Sequence, residues 1–119
     1  MGKKDRDSFL LALEEEENRI ANERYKAKQT EQEMKKLSKD YERIFTRSGQ
    51  LFYKLEKIFQ KSQAKSIFTE IFSDIQREEQ DIFERIDKEK IVLTQKEKAL
   101  EKRENEIYYE KRRLREELS

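Results

Sequence analysis

The sequence predicts an all-α fold, a long antiparallel helical hairpin of the coiled-coil kind. Three observations carry this. Apolar residues recur at seven-residue spacing along nearly the whole chain, the mark of helices with one buried stripe. No Pro and two Gly occur in 119 residues, which leaves strand-and-turn architectures little to turn with. The repeat loses register once, in a polar stretch near the middle.

The first helix is expected over residues 8–59, after a flexible N-terminus at 1–7. Leu13, Ile20, Ala27, Met34, Tyr41, Ser48 and Leu55 share one heptad position. Leu37, Ile44, Leu51 and Ile58 stand three residues after the later members, and Phe45, Phe52 and Phe59 one residue further on. Together they make an a/d/e stripe. Asp7 or Ser8 is placed to cap its start, accepting hydrogen bonds from the first unpaired amides.

Residues 60–66, Gln60-Lys61-Ser62-Gln63-Ala64-Lys65-Ser66, contain one apolar residue and mark the inter-helix turn. The second helix is expected over 67–118, capped by Ser66. Phe72, Ile86, Leu93, Leu100, Ile107 and Leu114 keep its heptad, with Glu79 interrupting and with Phe68, Ile75 and Ile82 as companions. Folding the two equal arms together sets Ile20 opposite residue 106 and Leu13 opposite residue 113. The rival arrangement is one continuous helix paired in parallel with a second copy. Ser48-Gly49 is a further point where the first helix could kink or admit a close neighbour.

Composition removes whole classes of function. The chain is 46% charged and 34% hydrophobic, against about a quarter and about 45–50% in ordinary globular domains. A rounded core is therefore not expected. The net charge is +1, from mixed signs, and the apolar residues are periodic, so order is favoured over disorder. Cys and His are both absent, which excludes disulfides, thiol nucleophiles, imidazole bases and the usual zinc sites. The carboxylates Glu14 to Glu17 point around a helix axis and do not converge on a cation. No catalytic residue, metal site or cofactor is predicted, and the chain is not expected to be an enzyme.

No apolar run is long enough for a leader or a membrane span. The expected location is cytoplasmic, with leaderless export alongside a client left open. Tyr108-Tyr109-Glu110-Lys111-Arg112-Arg113 sets aromatic beside basic residues, a combination that can hold nucleic acid. Glu110, Glu116 and Glu117 dilute its field, so we read it as a solvated helix end.

The apolar residues are unevenly spread. Distal stretches of both arms carry one per heptad, since Glu16, Glu23, Lys96, Arg103 and Glu110 hold the other seam position, whereas six of the seven Phe lie between residues 45 and 83. A thin, weakly zipped strut and a rich docking end are expected. The predicted partner-binding face comprises Tyr41, Ile44, Phe45, Leu51, Phe52, Leu55, Phe59, Phe68, Phe72, Ile75 and Phe83. Its surplus apolar surface would serve either a foreign helical partner or a homodimeric four-helix bundle with no further role.

The segments Tyr41-Glu42-Arg43-Ile44-Phe45-Thr46-Arg47-Ser48-Gly49-Gln50-Leu51-Phe52 and Ile107-Tyr108-Tyr109-Glu110-Lys111-Arg112-Arg113-Leu114, with the aromatic stretch between Phe59 and Phe68, carry a family resemblance. The chain resembles the small helical targeting factors encoded beside LXG-domain toxins of type VIIb secretion systems. The resemblance implies an adaptor that packs against the helical N-terminal domain of a toxin, beside a second small helical protein, and presents it for export. The chain lacks a Trp-x-Gly turn, and no Tyr has an acidic residue four positions later. Phe83 and Asp87 fit the Phe-x-x-x-Asp pattern of a companion group of such factors. Phe83 in the seam with Asp87 in solvent explains the same residues.

Overall fold

A computed structural model describes residues 2–118. It is an all-α helical hairpin of two long helices, α1 (Lys3–Ile58) and α2 (Lys65–Leu118), and no strand occurs among the described residues. Helix α1 starts five residues earlier than the cap argument placed it. The Gly2 carbonyl accepts the amides of Asp5 and Arg6, each at 3.1 Å, and Asp5 brings a carboxylate to the positive end of the helix. Arg6 Nη1 also donates to the Glu117 carbonyl at 2.9 Å. Residues 3–7 are thus helical, and Asp7 and Ser8 lie inside the helix.

The turn needs neither Gly nor Pro because none of the described residues takes a positive φ. The chain instead reverses through overlapping tight turns. Ser62 N donates to the Phe59 carbonyl at 2.9 Å and Lys65 N to the Ser62 carbonyl at 3.2 Å. The Ser62 hydroxyl accepts the Ala64 amide at 3.1 Å. Ser66, the expected cap, stands inside the first turn of α2, and its hydroxyl faces the Gln63 carbonyl at 3.5 Å. The capping hydroxyl of the turn belongs to Ser62.

The chain divides into two compact units. Met1–Glu31 with Ile91–Ser119 makes a charged unit, and Gln32–Lys90 makes an aromatic unit. In the charged unit the helices pack antiparallel around Leu13, Ile20, Ile107 and Leu114, flanked by Leu10 and Leu100. Between these apolar layers lie ionic ones. Arg24 Nη1 donates to both carboxylate oxygens of Glu104 at 3.0 Å, and Lys111 Nζ to Glu17 at 3.3 Å. Arg103 reaches across with two parallel bonds to Glu16, 2.6 Å from Nε and 2.8 Å from Nη2. Its Nη1 also meets Glu106 at 3.2 Å and Glu110 at 3.5 Å. The hydrogen bonds from Arg103 hold the Glu16 carboxyl below its ordinary range, and those to Glu16 and Glu106 hold the Arg103 guanidinium fully protonated.

This unit departs from the weakly zipped strut expected of it. Leu13, Ile20, Ala27, Ile107 and Leu114 are all buried, Ile107 completely. The reason is geometric. The seam of α1 alternates between the heptad of Leu13, Ile20 and Ala27 and the position four residues on, where Glu17, Arg24 and Glu31 stand half-buried. Charged side chains are long, so their methylene stems cover the small aliphatic layers while their heads pair across the seam.

Candidate protein-binding surfaces of the aromatic unit

The aromatic unit has a two-helix seam of its own, with different chemistry. Tyr41, Phe45, Ser48, Phe52, Leu55 and Phe59 are half-buried on α1, spaced alternately by four and three. On α2 the partners are Phe68, Phe72, Ile75, Glu79 and Ile82, half-buried, and Ile86, buried. The seam position that holds Glu17, Arg24 and Glu31 in the charged unit holds Phe45, Phe52 and Phe59 here. Facing rings meet in pairs. Phe59 stacks on Phe68 with centroids 4.9 Å apart, Phe52 lies 5.4 Å from Phe72, and Phe45 lies 6.0 Å from Phe83 and 6.1 Å from Tyr41. Each such pair contributes about 0.5–1.5 kcal/mol beyond its buried area.

The expected a/d/e stripe is therefore split. Phe45, Phe52 and Phe59 close the seam, and Leu37, Ile44, Leu51 and Ile58 do not. These four are 47%, 55%, 56% and 72% exposed. Of the eleven residues predicted for the partner face, Ile44 and Leu51 point outward. The other nine sit in or beside the seam. The rings win the seam because a pair of facing Phe buries more apolar surface than Leu or Ile in the same place.

Two helices cannot cover such large side chains. Phe52, Phe59, Phe68 and Phe72 remain open along one side of the pair, flooring a groove of about 360 Å³. Gly49, Tyr53, Glu56, Lys65 and Thr69 form its walls. Gly49 keeps the groove wide, since nothing lies within 4 Å of where its Cβ would be. Helix α1 runs on through Ser48-Gly49, so this dipeptide is neither a break nor a close-packing notch. The rim is polar: Glu56 and Lys65 give it both signs, and Lys57 lies 4.5 Å over the Tyr53 ring. Sequence periodicity alone did not single out these walls. Their signal is position, because Gly49, Tyr53, Glu56 and Thr69 each follow a seam residue by one.

Phe83 stands in the ring cluster beside Phe45, and Asp87, one turn on, is exposed. Among the described residues no three acidic side chains are grouped to hold a metal ion, and no helix is long and apolar enough to cross a membrane.

No curated protein and no solved structure matches the chain. One family does, over residues 9–114, described as a protein of unknown function, DUF3958. That span takes in the seams of both units and the turn between the helices, and the chain belongs to the DUF3958 family.

Proposed function

We propose that this chain is a non-enzymatic helical adaptor. It binds the helical N-terminal domain of a secreted toxin and helps deliver it to a type VIIb secretion system, in the manner of the LXG-associated factors it resembles. The observation that carries the proposal is the groove over Phe52, Phe59, Phe68 and Phe72, a row of rings that two helices leave half covered. An amphipathic client helix laid along it would set residues at i, i+3, i+4 and i+7 onto successive ring pairs. Burying rings already held against one another costs little side-chain entropy, which favours tight binding. The polar rim of Tyr53, Glu56 and Lys65 then fixes the client's register.

Co-expression with the N-terminal domain of a neighbouring LXG toxin tests this. Phe52→Glu and Phe72→Glu are each expected to weaken capture by about a hundredfold or more, as loss of a central apolar anchor does. Glu16→Gln, in the charged unit, is expected to leave it unchanged. Gly49→Leu, which fills the groove without removing a ring, supplies a variant whose seam stays intact. Full-affinity capture by Phe52→Glu and Gly49→Leu together would overturn the assignment.

A further inference from the structure

The opposite side of the aromatic unit carries a second apolar surface that the groove does not use. Residues that follow a seam position by one wall the groove on both helices, so residues that precede one by a single step face the other way. The apolar ones among them are Leu37, Ile44, Leu51 and Ile58 on α1 and Ile67 and Ile71 on α2, beyond which the same face of α2 carries Asp74, Glu78, Asp81 and Arg85. All six apolar residues are between 42% and 72% exposed. An aliphatic row along α1, joined near the turn by Ile67 and Ile71, is the kind of patch that marks an interface.

We propose that a second copy of this chain covers this ridge. The two hairpins run the same way, so that in the aromatic unit α1 of each copy lies against α2 of the other and the four stretches form a bundle. Charge decides the occupant. On α1, Asp40, Arg47 and Lys54 stand one turn before Ile44, Leu51 and Ile58, along the outer border of the ridge. On α2, Asp74, Asp81 and Lys88 continue the heptad of Ile67. The ring pairs Phe45–Phe83 and Phe59–Phe68 fix which residues of the two helices are level. A twofold axis along the helices preserves those levels.

Lys54 then meets Asp74 of the second copy, Arg47 meets Asp81, and Asp40 meets Lys88. All three pairs are opposite in sign, and the symmetry makes each twice. Among the described residues, Asp40, Arg47, Lys54, Asp81 and Lys88 make no ion pair within their own chain, and Asp74 is held by the exposed Arg77 at 3.1 Å. One apolar layer agrees with the ionic ones, since Ile58 comes level with Ile71 of the second copy. The groove lies on the other side and stays open in such a dimer.

Two double variants test the arrangement, Arg47→Asp with Lys54→Asp and Asp74→Lys with Asp81→Lys. Light scattering of the intact chain at micromolar concentration should give twice the chain mass. Each double variant alone places like charges opposite one another and should dimerise about a hundredfold more weakly, a typical cost of juxtaposed like charges. Mixed in equal amounts, the two should restore the dimer, because every border pair is again opposite in sign. Circular dichroism of each variant confirms that it is folded, and Leu51→Glu provides a break that leaves the border charges alone. A monomeric wild type, or a mixture that stays monomeric, would overturn the proposal. Client capture by the first double variant at wild-type affinity separates this surface from the groove.

Discussion

The charged unit and the aromatic unit each close a two-helix seam and differ in what fills every second place along it. Where Glu17 and Arg24 stand, the neighbouring aliphatic residues are sealed. Where Phe45, Phe52 and Phe59 stand, Ile86 is the one buried residue among those described. The less apolar unit is the better buried one. Closure of a two-helix seam depends on whether the side chains present can reach around one another. Arg24, Arg103 and Lys111 have long flexible stems and place their charges against Glu104, Glu16 and Glu17, while Leu13, Ile20 and Ile107 beside them stay buried. A phenyl ring has no such stem. Two helices supply one wall for it, and a third must come from elsewhere.

The largest expected effect breaks the charged unit at its centre. Ile107→Ala should cost about 2–5 kcal/mol, as cavities in sealed aliphatic layers do. Phe68→Ala should cost less, about 1–3 kcal/mol, because its ring is already partly in water. Denaturant unfolding of both variants measures the difference. A Phe68→Ala penalty exceeding that of Ile107→Ala would reverse the comparison.

Acid should separate the units next. The carboxyl of Glu16 titrates below its usual 4.5 because Arg103 donates to its charged form. Its contribution is complete above that ordinary value and is lost as pH falls through the depressed one. Melting of the wild type followed from about pH 6 to about pH 3 should show this loss, and Glu16→Gln should lack that component of the slope. The ring pairs of the aromatic unit have no charge to lose. High salt should likewise weaken the charged unit first.

The smallest effect sharpens the account of the groove. Gly49→Ala should stabilise α1 by about 0.4–1 kcal/mol, since a helical Gly has more freedom to lose on folding than Ala. The space around its Cβ is empty, so no clash offsets the gain. A destabilised Gly49→Ala would mean that something packs against this wall in the isolated protein.

Much of this architecture was legible in the sequence. The heptads of Leu13 to Leu55 and Phe72 to Leu114 predicted helix throughout, and the register break between them favoured a reversal over the rival continuous helix. On α2 the seam follows the heptad, with Phe68, Phe72, Ile75 and Ile82 half-buried and Ile86 buried, although Ile67 and Ile71 stand one residue away from it and stay exposed. On α1 the expected stripe is split. Ile44, Leu51 and Ile58 compete there with Phe45, Phe52 and Phe59 one step beyond them, and periodicity counts a Leu and a Phe alike although their bulk differs. The strength of the charged unit was hidden for a related reason. Hydrophobic patterning scores Glu17, Arg24 and Lys111 as gaps, whereas in space their stems are part of the packing.

The absence of any positive φ in the turn has a consequence for how copies of the chain meet. A Gly-built reversal commits the backbone to doubling back, whereas the right-handed turns at 59–64 are close in conformation to the helices on either side. Direction is held by the Ser62 hydroxyl and by the stacked Phe59 and Phe68 rings. Loss of both would let α1 run on into α2 as a single rod, whose halves would find their complements only in another molecule. Ser62 and one pair of rings thus stand between a self-contained hairpin and an arm-exchanged dimer.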